Sequence, residues 1–173
     1  MQPRVAAQLG FHHFSDQNGA AGSLWLLCMN PLNPSFAEEV ARSFARQPVM
    51  NFIGARLSLV EAGVVEITLP YRADLAQQDG YLHAGIVTTI ADSASGYAAY
   101  SLMPGGSAVL SVEFKVNLLR PAQGVTFVTR AEVIKAGKTL TVVRADVFGI
   151  DESSERLLVA TMQATIICLR KGD

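Results

Sequence analysis

A polar loop that contains a glycine runs directly into an apolar segment with a single acid. The loop, residues 77–85, reads QQDGYLHAG, and the apolar segment after it ends at Asp92. A helix that begins at the end of this loop exposes unpaired backbone N–H groups with a partial positive charge. Asp92 follows Ala84 and Gly85 by two helical turns and lies on roughly the same helix face. Such an arrangement favours attack on a carbonyl group, because amides can stabilise an oxyanion while the carboxylate acts beside it.

The helix that positions Asp92 is predicted to run from about Ala84 to Leu102, before Pro104-Gly105-Gly106. Most of its residues are apolar or small, so that little polar surface remains and a sheet can approach closely. We therefore expect a central, buried helix.

The remaining segments predict one sheet and one further helix. Ser35 and Glu38 have the spacing of a helix N-cap and its capping-box partner, and apolar residues recur at helical spacing to about Arg46. Strand-like runs separated by turn signals occupy residues 52–60, 64–70, 108–119, 125–136, 139–149 and 156–169. The last four are joined by short turns, which favours an antiparallel meander. The predicted fold class is α+β, with a curved antiparallel sheet of about six strands wrapped around one long central helix.

The overall composition argues against disorder and against a nucleic-acid partner. Of the 173 residues, 50% are hydrophobic and 17% are charged, and the formal net charge is −1. A monomer of this size normally presents more charge to water, so we expect part of the apolar surface to be buried between subunits of a homo-oligomer.

The N-terminal region differs in composition from the rest of the chain. Residues 1–28 are rich in Gly, Ala, Gln and Asn without a sustained period, and we expect an irregular extension before a single domain at residues 29–173. No apolar run approaches the ~20 residues of a membrane span, and a signal peptide is not indicated. Cys28 and Cys168 lack the spacing of a metal or disulfide framework. These features predict a cytoplasmic protein with free thiols and no metal or cofactor.

Several segments in order resemble one family. Residues 80–85, GYLHAG, are similar to the G-x-x-H-G-G segment of the PaaI-like acyl-CoA thioesterases, whose fold is the hotdog fold. Asp92 stands nine residues after His83, and Gln77 stands six before it. Ser111-Val112-Glu113, residues 119–122 and residues 137–139 also resemble family segments, so that the similarity spans about residues 49–168.

This resemblance implies a role for each residue of the site. Asp92 would be the general base or the nucleophile, and the N–H groups at Ala84 and Gly85 would bind the oxyanion. Ala84 departs from the family, which usually has glycine there, and a positive φ at this position would be strained. Gln77, from the facing subunit, would orient the water or the carbonyl, with Gln78 as the alternative residue. His83 would add a second donor or hold the loop, and Ser111 would hold the water.

The resemblance also implies an acyl-CoA substrate and sites at the interface of a dimer or tetramer. Arg120, Lys138 and Lys115 are the candidates for the CoA phosphates. Two other functions stay open: a hotdog enoyl-CoA hydratase or dehydratase, and a non-catalytic acyl-CoA-binding module. A Ser-His-Asp triad is disfavoured because the chain has no GxSxG elbow. The sequence leaves the acyl group open.

Overall fold

The described part of the chain forms one antiparallel sheet, one long α-helix, two short α-helices and a 3-10 turn at Ala73–Leu75. The computed structural model describes residues 29–170, and both the predicted extension at 1–28 and Cys28 lie outside this range. The helices are α1 (Phe36–Ala45), α2 (Pro48–Ile53) and α3 (Ala84–Tyr100). The strands are β1 (Arg56–Glu61), β2 (Val64–Pro70), β3 (Ala108–Leu118), β4 (Thr126–Ala136), β5 (Leu140–Ile150) and β6 (Arg156–Leu169). The α+β class and the long central helix are confirmed.

The strand order shows that the predicted meander is wrong in one step. The six-stranded sheet has the order β1-β2-β4-β5-β6-β3, and every neighbouring pair is antiparallel. Strands β4, β5 and β6 do form a meander, but β3 pairs with β6 instead of with β4. Because β2 and β5 already occupy both sides of β4, β3 cannot pair with β4, and it joins the sheet beside β6. Its outer edge is unpaired within the described chain.

Helix α3 packs on one face of this sheet and forms the centre of the core. Ile90, Ala94 and Ala98 are completely buried and lie against buried sheet residues such as Phe127 and Met162. Small side chains on the helix let its backbone approach the sheet closely, while each fully buried large side chain contributes about 1.5–3 kcal/mol. The core therefore holds α3 firmly, and with it the residues on its remaining face.

Two local features differ from the prediction. The side chain of Ser35 makes no capping bond, whereas the Asn33 carboxamide oxygen accepts the Ser35 N–H at 3.0 Å. The strand predicted from Phe52 begins only at Arg56, because residues 48–53 form α2. Proline at the first position and a left-handed Gly54 after the last position bound this helix. Six residues are too few for a helical period to show in the sequence.

The helices of the described region are short relative to a lipid bilayer. Within residues 29–170, no helix is long and apolar enough to cross a membrane.

Candidate active site

His83 closes the N-terminus of α3 with its own side chain. Its Nδ1 accepts the backbone N–H of Gly85 at 2.9 Å. A Cβ at residue 85 would lie 3.0 Å from that nitrogen, so glycine is what allows the imidazole to approach. The Gly85 N–H, one of the two predicted oxyanion donors, is therefore already bonded to His83.

The other predicted donor, the Ala84 N–H, makes no hydrogen bond within the described residues. It has no acceptor among residues 29–170, and Ala84 is exposed. Ala84 also has helical backbone geometry as the first residue of α3, since Ser154 is the non-glycine residue with positive φ in the described chain. The substitution of alanine for the family's glycine thus introduces no backbone strain. Of the two predicted donors, Ala84 is therefore the one whose N–H has no acceptor among the described residues.

The loop before α3 is held by its own hydrogen bonds. Gln77 N–H donates to Tyr81 O at 2.8 Å, and the left-handed Gly80 donates back to Gln77 O at 3.0 Å. The side-chain oxygen of Gln77 accepts the Asp79 N–H, which leaves its amide hydrogens as the groups that it can offer to a ligand. Gln78 is more exposed, and its amide donates to the Asp79 carboxylate at 3.2 Å.

Asp92 and Ser111 meet, although they belong to different elements. The Ser111 hydroxyl donates to Asp92 Oδ1 at 2.5 Å. A bulge in β3 makes this contact possible: Ser111 pairs with Ile166, whereas Glu113 pairs with Thr165, so that Val112 is an extra residue. Ser111 consequently points to the helix side of the sheet, while Glu113 bonds Thr165 on the other side.

A cavity of about 560 Å³ opens beside this pair. Its walls are the end of α1 with Gln47 and Pro48, one face of α3 from Asp92 to Tyr100, and residues 107–111. A second cavity of about 390 Å³ adjoins it and shares Arg46 and Tyr100 with it. No local signal in the sequence shows which face of α1 packs near Asp92, so α1 could not be predicted as a wall of this cavity.

The tyrosines of these walls are hydrogen-bond donors. Burial raises the pKa of Tyr97 and of Tyr100, and the neighbouring Glu39 carboxylate raises the pKa of Tyr100 further. Both phenols therefore stay protonated at neutral pH. Tyr100 donates to Glu39 at 3.0 Å and Tyr97 donates to Ser43 at 3.4 Å, so both link α3 to α1.

The two halves of the predicted site are far apart within one chain. Ala84 and Asp92 are eight positions apart on α3, which corresponds to about 12 Å along the axis. In the predicted reaction the oxyanion donor contacts the carbonyl oxygen, and the base contacts either the carbonyl carbon or the water that attacks it. One copy of α3 does not bring Ala84 and Asp92 close enough for both contacts. Within one chain the predicted residues therefore form two separate clusters: Asp92 with Ser111, and Gln77, His83, Ala84 and Gly85 at the loop.

The basic residues predicted for CoA lie away from both cavities. Arg120 donates to the Leu158 carbonyl at 2.9 Å, and Lys115 and Lys138 are exposed on β3 and in the β4–β5 turn. The cavities instead have Arg46, with Arg42 and Arg170 beside it. Arg42 and Arg46 are one helical turn apart, and this spacing in the sequence could have indicated a pair of basic side chains on one face of α1.

The described residues contain no group of three or more His, Cys, Asp or Glu side chains arranged to hold a metal ion. The polar groups at the predicted positions are a carboxylate, a hydroxyl, an imidazole, an amide and backbone N–H groups.

Comparison with known proteins gives a consistent result. A model of the thioesterase superfamily matches residues 79–154. A thioesterase family protein from Silicibacter pomeroyi is 52% identical, with a TM-score of 0.77 over 79% of this chain and 99% of its own. A provisionally assigned esterase of Saccharolobus solfataricus is 31% identical over 67% of this chain and 75% of its own. The PaaI protein of the E. coli phenylacetic acid degradation operon is 18% identical, with a TM-score of 0.70 over 80% of this chain and 96% of its own. The similarity to the PaaI protein concerns the fold alone, whereas the similarities to the Silicibacter and Saccharolobus proteins extend to the sequence.

Proposed function

This chain belongs to the hotdog-fold thioesterase superfamily, and we propose that it hydrolyses an acyl-CoA thioester to the free acid and CoA. The observation that carries this proposal is the Ser111–Asp92 hydrogen bond at the mouth of a 560 Å³ cavity. A carboxylate that accepts a hydrogen bond from a hydroxyl at Oδ1 keeps Oδ2 available for a water molecule or for the substrate. The cavity beside it can hold the acyl group.

The proposed reaction uses Asp92 as a general base. Asp92 takes a proton from water as the water oxygen bonds to the thioester carbon, and the Ala84 N–H stabilises the resulting oxyanion. The C–S bond then breaks, and the CoA sulfur leaves and receives the proton from Asp92. In the alternative route, Asp92 itself bonds to the thioester carbon, the C–S bond breaks and CoA leaves as a thiolate. Water then cleaves the mixed anhydride, which restores the Asp92 carboxylate and releases the proton that the thiolate takes up. Ser111 orients the carboxylate in both routes.

The distance along α3 supports a homodimer as the smallest active unit. Asp92 and Ser111 of one subunit would face Gln77 and Ala84 of the other, so that each dimer has two sites. The unpaired outer edge of β3 is the candidate contact, since an open strand edge readily pairs with another chain. Exposed apolar side chains follow this strand: Leu110, Val112, Phe114 and Leu118. Two dimers could associate further as a tetramer.

CoA binding is proposed at the rim of this composite site. Arg42, Arg46 and Arg170 line the two cavities of one subunit, whereas Arg120, Lys138 and Lys115 lie away from them and would reach the phosphates of a long substrate only across the dimer. Charge-assisted hydrogen bonds from such residues suit phosphate oxygens.

The test is a thiol-release assay with a panel of acyl-CoA thioesters, run on the wild type and on Asp92→Asn. The variant keeps the shape of the side chain but removes the base, and we expect turnover to fall by about 10²–10⁴-fold with unchanged oligomer size. Glu113→Gln is the matched control, because Glu113 lies two residues from Ser111 on the other sheet face. Near-normal thiol release by Asp92→Asn would exclude the assigned role. Enoyl-CoA turnover without thiol release would favour a hydratase instead.

A further inference from the structure

Gln47 is a polar side chain of the cavity wall to which the proposed reaction gives no role. It lies in the turn between α1 and α2 and lines the cavity together with Asp92 and Ser93. The residue is half-buried, so its amide belongs to the cavity more than to the outer surface. The hydrogen bonds of this amide show whether it serves the fold alone.

The backbone at Gln47 is fixed on both sides. A residue before proline is driven out of the helical region, and Gln47, which precedes Pro48, has an extended conformation with φ −83° and ψ 103°. Its N–H donates to Phe44 O at 3.0 Å, and its carbonyl accepts the Asn51 N–H at 3.3 Å. The side chain therefore starts from a defined point at the break between the two helices.

The contact of Gln47 with α3 uses only one end of its amide. The Ser93 hydroxyl donates to Gln47 Oε1 at 3.4 Å, which is long for a hydrogen bond. The two hydrogens on Nε2 have no acceptor among residues 29–170 and are accessible from the cavity. At Tyr97 and Tyr100, which also join α3 to α1, the hydroxyl hydrogen is used in the contact. A purely structural link accounts for Oε1 of Gln47 but leaves two donor hydrogens unused.

These hydrogens lie at the level of Asp92 along α3. Ser93, which contacts Oε1, follows Asp92 directly in the chain, and consecutive Cα atoms are about 3.8 Å apart. The side chains of Gln47 and Asp92 line the same cavity. A thioester whose carbon is placed at Asp92 for attack would have its oxygen beside the Gln47 amide.

The proposed site also has a place for a second oxyanion donor. Oxyanion holes combine backbone N–H groups with side-chain donors such as the amides of Asn and Gln. In the proposed dimer, the Ala84 N–H of the facing subunit is one donor, whereas the Gly85 N–H is already bonded to His83 at 2.9 Å. An oxygen that becomes negative can accept more than one hydrogen bond.

From these observations we infer that Gln47 is the second oxyanion donor. Its Nε2 donates to the thioester oxygen as negative charge develops there, and it comes from the same subunit as Asp92. Ser93 is a positioning residue that holds Oε1 of this amide. The inference rests on the proposed thioesterase function and deepens it, because it adds a catalytic residue to the same site.

The test compares Gln47→Met with the wild type by thiol release from butyryl-CoA, octanoyl-CoA and benzoyl-CoA. Methionine keeps the length of the side chain but has no donor. We expect kcat to fall about 10²-fold while KM changes less than about threefold, because the lost contact forms in the transition state. The loss should be similar for every substrate that the wild type hydrolyses, since the reacting carbonyl is common to all of them. Gln163→Met, an exposed position on the sheet face away from α3, is the matched control and should keep kcat.

Ser93→Ala tests how the amide is oriented. Loss of the Ser93 hydroxyl should lower kcat about fivefold in the wild type, which is the value of one neutral hydrogen bond. In the Gln47→Met background the same change should have no further effect, because the group that Ser93 holds is already absent. Equal losses in both backgrounds would show that Ser93 does not act through Gln47.

The outcomes separate this inference from the proposed function. Unchanged kcat in Gln47→Met, or a raised KM with unchanged kcat, would overturn the inference. If that variant does not fold, Gln47→Glu replaces it, because it keeps the shape and Oε1 but has no donor hydrogens at neutral pH; wild-type kcat in Gln47→Glu, or failure of both variants to fold, would also overturn the inference. If Asp92→Asn still loses thiol release in those cases, the thioesterase function stands. If the wild type releases no thiol from any acyl-CoA, the proposed function itself is wrong.

Discussion

The contact between Ser111 and Asp92 is the most informative one at the scale of single residues. A hydroxyl that donates to a carboxylate holds that carboxylate in one orientation. Both side chains line the cavity and lie outside the buried core. Under the proposed function, we therefore expect their pairing to affect turnover more than stability.

Ser111→Ala removes this hydrogen bond without creating a large void. Hydrogen bonds to charged groups contribute about 1.5–3 kcal/mol, so we expect kcat/KM to fall by roughly 10- to 150-fold, with little change in melting temperature. The measurement is thiol release under subsaturating substrate. Ser58→Ala, which removes an exposed serine hydroxyl bonded to Thr68 on β2, is the control. Unchanged kinetics in Ser111→Ala would show that the pair does not contribute to turnover.

The two neighbouring glutamines can be distinguished in the same way. Gln77 is anchored by the loop and offers its amide hydrogens, whereas Gln78 is exposed and bonded to Asp79. We expect Gln77→Ala to reduce kcat/KM at least tenfold, about the value of one lost polar contact to the reacting group, and Gln78→Ala to have almost no effect. Steady-state kinetics on both variants decides this. Similar small effects in both would move the functional residue elsewhere in the loop.

At the scale of elements, the start of α3 combines two tasks. His83 caps the helix through Nδ1, while the adjacent Ala84 N–H stays available to a ligand. In the bound tautomer the proton lies on Nε2, so the imidazole can still donate a hydrogen bond from its exposed side. The His83 side chain can thus cap the helix through Nδ1 and donate a hydrogen bond through Nε2. A suitable pair of variants separates these two roles.

His83→Ala should lower stability by about 1 kcal/mol, because the Gly85 N–H loses its acceptor. Asparagine is a good N-cap residue, so His83→Asn should restore most of that stability. Thermal unfolding and thiol release are measured on both variants. If His83 only caps, activity returns together with stability in His83→Asn. If it also donates to the substrate, stability returns but activity does not.

At the scale of the whole molecule, the separation between Asp92 and Ala84 bears on how the proposed site is assembled. Asp92 and Ala84 are fixed on one helix, and no loop movement can bring them together. In the proposed two-fold dimer, the helix end of one subunit would face the middle of the helix of the other. The exposed apolar residues of β3, such as Leu118 at 55% exposure, would then be covered.

Two inactive variants should complement each other if the site is shared. A purified heterodimer of one Asp92→Ala chain and one Gln77→Ala chain contains one site with both residues intact, so it should show about half the wild-type activity. Differently tagged, co-expressed chains allow its isolation. The two homodimeric variants are the controls. Activity no higher than theirs would mean that both residues act within the same chain.

Much of the fold could be predicted from local patterns. The helical signals at residues 84–102 and the strand signals at 64–70, 125–136 and 156–169 agree with the structure to within one or two residues. Such elements depend on hydrogen bonds and apolar periods between near neighbours, which a single sequence displays. The short helix α2 was missed because it is bounded by one proline and one glycine and has too few residues to show a period.

The sequence by itself determined the long central helix, the polar loop before it and the spacing that puts His83 and Asp92 on the same element. Only the tertiary structure decided that β3 pairs with β6, that its bulge directs Ser111 to Asp92, and that α1 and Gln47 line a cavity there. The reason is physical: helices and turns form through contacts a few residues apart, whereas strand order and cavity walls depend on distant segments that compete for the same partners.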